Sequence, residues 1–429
     1  MKTVGIVVEY NPLHYGHVHH FEQSKQAAGA DAAVAVMSGH FLQRGEPALA
    51  NKWARAEMAL RMGADVVLEL PVAYSSQAAE WFAYGAVSAL HATGVVDSLC
   101  FGSETGDIGW LERLADRLTR EPETFKRMLQ ESLNKGSSYP AAYSAAVAAF
   151  IGSSGQPDSE TGGPTADDEA DESLSDRLNQ PNNTLGLHYV LALRRLQSTI
   201  EPLTIARTKA GYHQQIATDS HIASATAIRR ILFEEKRLDG IAPYVPPYTL
   251  DIMRREMEAG RAPMEWNRYA KPLLHVLASR SADELSTFYE VNEGLENRLK
   301  QSLRLLPPGA EHPVDALIAS LKTKRYTRTK LQRTLLRILL GHSKAELTRD
   351  KLLAGPSYLR VLGFTVKGRA LLAEMRKKAS VPVLVKVAGH QTPFLELDIR
   401  ATAAYALGYD AVSADELHRD YYQAPLQAE

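Results

Sequence analysis

Cysteine is almost absent. Cys100 stands alone among 429 residues, which excludes a disulfide framework within the chain and a cysteine-rich metal centre. One thiol fits a reducing compartment. Long apolar runs are missing too: no stretch approaches the ~20 residues needed to cross a bilayer. The opening residues, MKTVGIVVEYNP, make a poor secretory leader, because Glu9 interrupts the apolar run at once. The expectation is a cytoplasmic protein with no membrane and no DNA partner. Nor is there an excess of either charge. Lys and Arg number 49 against 50 Asp and Glu, so the net value says little until the charges are placed. What remains is ordinary for a globular protein, 45% apolar and 23% charged, and long enough for two or three domains.

The first 110 residues alternate short apolar runs with helical spacing. Val4–Tyr10, Ala32–Met37, Val66–Leu70 and Val95–Phe101 read as buried strands, and 17–28, 52–62 and 78–91 read as helices between them. That alternation predicts an α/β fold, a parallel sheet with crossover helices of the HUP/Rossmann-like kind, with ligands beyond the carboxyl ends of the strands. Residues 151–178 interrupt it. They are rich in Gly, Ser, Asp and Glu and lack aromatic residues, so an acidic, disordered insertion is expected. A helix over 182–196, a strand over 203–207 and a helix over 225–233 resume the pattern. The segment PYVPPY at 243–248 marks a boundary. It separates an α/β domain, 1–242, from a mostly α-helical domain, 249–429, with short strands at 360–364 and 381–387.

The most informative string is GIVVEYNPLHYGHVHH, residues 5–20. A buried strand runs into a loop, then His14-Tyr15-Gly16-His17, then a helix. Gly16 lets backbone approach a phosphate. The helix start offers unpaired N–H groups and the positive end of a dipole. His14 and His17, three residues apart, can both donate to charge building at an α-phosphorus. His20 either reaches the nucleotide or serves the helix face. A second cluster, SATAIRR at 224–230, places Ser224 and Thr226 at a helix start with Arg229 one turn on. These are caps, or phosphate ligands with a neutralising guanidinium. His14, His17 and Arg229 are the candidate catalytic residues.

Together these strings resemble the His-x-Gly-His nucleotidyltransferase superfamily. More narrowly, the chain resembles the bacterial tRNA(Met) cytidine acetate ligases. EYNPLHYGHVHH, MSGHFLQRGEPALANKWARAEMAL, GADVVLELP, FGSETGD, PNNTLGLHYVLAL, ARTKAGYH, KRYTRTKLQR and DIRATAAYAL carry the likeness through both halves. The resemblance implies that ATP and acetate give acetyl-adenylate and pyrophosphate, and that the acetyl group passes to N4 of the wobble cytidine of elongator tRNA(Met). It implies an ATP site made of Val7, Val8, Glu9, Tyr10, Asn11, Pro12, Leu13, His14, Tyr15, Gly16, His17, Val18, His19 and His20, with Gly102, Asn182 and Arg207. Mg²⁺ is expected with the ATP. Two departures stand out: the acidic insertion before PNNTLG, and Ala225 where such motifs often carry glycine.

Residues 322–349 hold nine cations and a single acid, Glu346. Lys322, Lys324, Arg325, Arg328, Lys330 and Arg333 are candidate tRNA contacts, and Tyr326 could stack on a base. The loop from Ser38 to Lys52 suggests an acceptor pocket or tRNA-facing rim, with Gln43, Arg44 and Lys52 as candidates. Two other readings share the motifs: a small-molecule adenylyltransferase of cofactor metabolism, and a non-catalytic RNA-binding protein.

Overall fold

A computed structural model of the chain describes residues 1–119, 123–137, 139–153, 174–207, 224–235 and 237–428. Its centre is an eight-stranded sheet. The strands are β1 (Thr3–Val8), β2 (Ala32–Ser38), β3 (Val66–Leu70), β4 (Ser98–Ser103), β5 (Glu201–Ala206), β6 (Leu359–Thr365), β7 (Val383–Leu384) and β8 (Leu426–Ala428), in the order β5-β4-β1-β2-β3-β6-β7, with β8 also on β6. The first five run parallel, with Val4 opposite both Ala33 and Ser98. Crossover helices cover both faces, so the inner strands are apolar throughout rather than alternating. β2 and β3 are buried at every residue.

Two helices position what matters later. α1 (Tyr15–Ala28) follows β1, and Gly29 ends it in the left-handed region. α2 (Lys52–Met62) starts at Asn51, whose side chain accepts from the Ala54 N–H, and stops at Gly63. Both obey ordinary start and stop chemistry.

The break at 243–248 does not divide the sheet. β6 pairs antiparallel with β3, Val66 opposite Phe364 and Glu69 opposite Arg360. The mostly helical C-terminal half thus returns three strands to the N-terminal sheet. The expected acidic insertion is shorter than its assigned bounds, because Tyr139–Ser153 and Leu174–Asn179 are helices. The rest of that segment, 154–173, lies outside the described residues, as do residues 208–223, which include most of ARTKAGYH.

Lys52 is the clearest correction. Expected at a tRNA-facing rim, it is fully buried. Its ammonium sits 2.8 Å from Glu69 and 2.9 Å from Asp420. Asp420 also takes Arg360 at 2.9 Å and the Thr402 hydroxyl. Burial pushes the Asp420 carboxyl up, but Lys52 and Arg360 overcome this and hold it below its ordinary range. A charge removed from water needs partners, and here they come from β3, β6 and the C-terminal residues. Lys52→Met would leave Glu69 and Asp420 buried short of one cation. We expect a loss of about 3–5 kcal/mol in stability, read from urea unfolding. An unchanged midpoint would show the cluster to be dispensable.

Candidate active site

The site forms at the carboxyl edge of the parallel strands, where β1 feeds α1. His14 is the N-cap. Its Nδ1 accepts from the Gly16 N–H at 3.1 Å, and the His14 N–H in turn donates to His17 Nδ1 at 3.3 Å. The two imidazoles lie with centroids 3.8 Å apart and planes tilted by 31°. An Nδ1 that accepts carries no proton, so each ring holds its proton on Nε2. The pair thus presents two N–H donors beside the first turn of a helix, which itself favours anions. Gly16 is required for this. A Cβ there would fall 2.8 Å from His14 Cε1.

Four further expected residues, Gly102, His20, Asn182 and Arg207, converge nearby. Gly102 lies within β4 rather than after it, and a Cβ on it would sit 3.2 Å from Arg207 Cγ and 3.6 Å from His20 Cδ2. His20 Nε2 is buried with no hydrogen-bond partner. Such an orphaned polar atom beside a side-chain-free cradle fits a polar ligand. Arg207 Nη1 donates to Asn182 Oδ1 at 3.4 Å. Arg229 donates to the Asn11 carbonyl at 2.9 Å and to Thr226 Oγ1 at 3.3 Å, which docks its helix, Ala225–Glu235, on the loop before His14. The Ser224 hydroxyl accepts from the Ala227 N–H at 3.2 Å as a cap.

Burial holds these imidazoles neutral. His14 is lowered to about 3 by burial, then by Arg207 and Arg229, and His20 to about 4 by burial and Arg207. His17 falls well below its ordinary value through burial, His14 and His20. The positive charge that lowers them suits a polyanion. The expected stretch 7–20 is not uniform, however. Tyr10 and Leu13 are core residues, 2% and 0% exposed, so only their backbone can face a ligand. Tyr15 and His19 are exposed. Among the described residues no group of three His, Cys, Asp or Glu stands ready to hold a metal ion.

Sequence reasoning missed three residues. Glu104, just past β4, accepts from Asn182 Nδ2 at 2.6 Å and from the Asn183 N–H at 2.7 Å, and Asn183 Oδ1 accepts from the Glu104 N–H at 3.0 Å. This reciprocal clamp fixes the start of helix Pro181–Arg195. Arg55, 1% exposed, donates to the carbonyls of Glu9 at 2.7 Å and Ser38 at 3.0 Å, and to that of Gly39. It ties the exits of β1 and β2 together. The position of FGSETGD straight after a strand could have flagged Glu104. Nothing local distinguishes Arg55 from a surface arginine.

The basic stripe divides. Lys322 and Lys324 are exposed. Arg325 pairs with Glu293 at 2.5 Å, Arg328 with Asp315, and Arg333 faces Glu290 at 3.5 Å. Lys330 lies 4.5 Å over the Tyr326 ring. Tyr326 itself is 5% exposed, so it offers no stacking face. Arg337 is buried against the carbonyl of Ser76 at 2.6 Å. Two surface clefts of about 350 Å³ lie along Val366–Lys378 and the C-terminal strands and share no residue with the histidine edge.

A parallel sheet whose first strand delivers His-x-Gly-His to a helix start defines a nucleotidyltransferase-type protein. Comparison with known proteins narrows this. Residues 1–420 match the HIGH Nucleotidyl Transferase family. The tRNA(Met) cytidine acetate ligase of Acetivibrio thermocellus is 38% identical, with 95% of each chain covered. That of Caldanaerobacter subterraneus subsp. tengcongensis is 39% identical, covering 97% of this chain and 98% of its own. The crystal structure of Thermotoga maritima TmcAL bound with alpha-thio ATP superposes over 100% of both chains with a TM-score of 0.87 at 35% identity, and the apo form gives 0.88 at 34%. The chain belongs to the tRNA(Met) cytidine acetate ligase family of HIGH nucleotidyltransferases.

Two predictions follow from the geometry. Gly16→Ala should displace the His14 ring and weaken ATP binding at least tenfold by calorimetry, with the fold intact; unaltered affinity would remove the imidazole pair from the site. The second concerns pH. Between about 6.5 and 4 the unfolded histidines take up protons that folded His14, His17 and His20 refuse. Their contribution is therefore fully present above pH 6.5 and is lost as pH falls toward the folded values. The double variant His14→Asn, His20→Asn should lose less stability than the native chain between pH 7 and pH 5 in urea titrations. Equal losses would contradict burial of neutral rings.

Proposed function

We propose that this chain is an ATP-dependent ligase that acetylates N4 of the wobble cytidine in elongator tRNA(Met) through acetyl-adenylate. The observation that carries this reading is the imidazole pair, with both Nε2–H groups free to donate at the start of α1. In the first step an acetate oxygen attacks the α-phosphorus of ATP, and the bond to the β-phosphate bridging oxygen breaks as pyrophosphate leaves. His14 and His17 stabilise charge on the α-phosphate oxygens. Arg207 and Arg229, close enough to lower His14, neutralise the phosphate chain. Gly102, Asn182 and His20 receive the nucleoside end, and Ser224 and Thr226 stand at the second helix start. Mg²⁺ would arrive with the triphosphate and offset part of its negative charge. In the second step cytidine attacks the bound acyl group, and holding both partners together supplies much of the rate.

The functional halves are 1–242 for the nucleotide and 249–429 for the RNA, joined through one sheet. Lys322 and Lys324, both exposed, are the first cations a phosphate would meet, while part-buried Lys330 rests on the Tyr326 ring. Arg325, Arg328 and Arg333 join by exchanging carboxylate partners for phosphates. Such a protein works where tRNA is, in the cytoplasm; among the described residues no helix is long and apolar enough to cross a membrane.

His17→Ala should lower acetate-dependent AMP formation by about 10²–10³-fold while tRNA affinity stays within twofold. AMP production at the native rate would refute the assignment. Cells without the gene should lack N4-acetylcytidine in tRNA(Met) by mass spectrometry. Lys322→Ala with Lys324→Ala should flatten the salt dependence of tRNA binding by a slope of about 2; an unaltered slope would move the RNA path elsewhere.

A further inference from the structure

The acyl-transfer step needs a base that the histidines cannot supply. A cytosine amine has its lone pair drawn into the ring and must lose a proton as it becomes an amide. His14 and His17 hold their protons on Nε2 because each Nδ1 already accepts from backbone. They face the ligand as donors. Glu104 is at the same edge, but its two oxygens serve Asn182 and Asn183.

Glu9 is different. It follows β1 directly and is half-buried. Oε1 accepts from the Gln43 N–H at 2.8 Å and from the Ser38 hydroxyl at 3.3 Å. Oε2 takes no hydrogen bond from any described residue. Gln43 belongs to a tight hairpin closed by the Phe41–Pro47 bridge. Gly45 of that hairpin, with φ of +73°, lies so close to helix Arg328–Leu340 that a Cβ would meet the Arg333 nitrogen at 2.5 Å. Gln332 Nε2 also reaches Glu46 Oε1 at 3.2 Å. Glu9 therefore stands where the nucleotide loop meets the hairpin that leans on the basic helix. The core on that side contains Phe41, Tyr189 and Leu335, whereas Val4, Ile6 and Phe21 of α1 belong to the other. An RNA base brought in along the basic helix would approach the nucleotide loop from the hairpin side, where Glu9 sits.

We propose that Glu9 is the catalytic residue of acyl transfer, its free carboxylate oxygen taking the proton that cytidine N4 sheds. The inference rests on the ligase reading above. The N4 lone pair attacks the carbonyl carbon of acetyl-adenylate and a C–N bond forms. The bond from that carbon to the phosphoryl oxygen breaks, and its electron pair leaves with AMP. The N4 proton passes to Glu9 and from there to water. Burial raises the Glu9 carboxyl toward the range useful to a base, against the Gln43 hydrogen bond, Arg55 and Arg44, which lower it, while Glu46 raises it further.

The test separates the two half-reactions. Glu9→Gln keeps a carbonyl oxygen for Gln43 and Ser38. Adenylation is read as acetate-dependent exchange of pyrophosphate into ATP, and transfer as single-turnover acetylation of a tRNA(Met) transcript by preformed adenylate. We expect Glu9→Gln to slow transfer about 100-fold more than exchange, and Glu9→Asp to recover part of the loss. Equal loss in both half-reactions, or unimpaired transfer, overturns the proposal. Should neither variant fold, the native profile decides. Its transfer rate must rise with pH along a single ionisation that lies above the ordinary carboxylate value, and a flat profile overturns the role. Absence of acetate-dependent exchange in the native protein is a separate result that defeats the ligase reading itself.

Discussion

Two backbone N–H groups, those of His14 and Gly16, determine what the site can do. By donating to the Nδ1 atoms of His17 and His14, they close the first turn of α1, set both tautomers and aim two Nε2–H groups outward. A helix start leaves its first N–H groups without intrahelical partners. Most helices satisfy some of them with a small oxygen-bearing side chain. Here an imidazole takes that place, so one bond caps the helix and prepares a donor. Burial completes the arrangement. With Arg207 and Arg229 nearby, neutral imidazole is favoured before a ligand arrives, and a neutral ring keeps the donor on one defined nitrogen.

The sheet edge that carries this helix start is held by buried charge. Arg55 gathers the carbonyls at the exits of β1 and β2. One residue segment away, Lys52 bridges Glu69 on β3 and Asp420 near the C-terminus. Both cations lie on α2 within one turn of each other. Replacing such a cluster with apolar residues of equal volume would often stabilise a protein. What the ions provide here is register. β6 must bring Arg360 to Asp420, which holds antiparallel β6 against β3 in the one alignment that satisfies every charge. The C-terminal half is thereby a structural part of the nucleotide sheet.

The parallel strands and the helices between them were legible because apolar runs of four to seven residues and 3.6-residue spacing are local signals. α2 fell on its expected bounds, 52–62. The helix after His14 was legible for the same reason, although it begins at Tyr15 and not at the expected residue 17. Partners far apart in sequence were not. Lys52 looked like a loop-end cation because Asp420 is 368 residues away. Tyr326 looked like a stacking platform because sequence does not show Arg298 at 5.2 Å from its ring or the Asn292 carbonyl under its hydroxyl. Residues 395–406 form a helix that the sequence reading leaves out; Leu397, Ala401, Ala404 and Tyr405 keep helical spacing on its buried side, but Asp398 and Thr402 share that side and blur the apolar stripe. A charge run in sequence thus holds two populations, cations buried in the fold such as Arg337 and cations left at the surface such as Lys322 and Lys324, and only distances separate them.

That separation bears on how two substrates of very different size could be served at one edge. A nucleotide needs donors fixed in advance, because its charge is compact and the hydrogen bonds must be in place before charge develops. The imidazole pair, the Gly102 cradle and the Glu104 clamp are rigid in that sense, each bonded to backbone. A nucleic acid needs cations that can change partners, because its phosphates are spread out and affinity comes from many weak contacts. Under the proposed function Arg325 and Arg328 would suit that need: each is about half exposed and each holds an acid from another segment. Exposed pairs contribute little to stability, so exchanging a carboxylate for a phosphate costs the fold little. The hairpin Phe41–Pro47 touches both regimes, bonded to Glu9 at one end and pressed against Arg333 at the other.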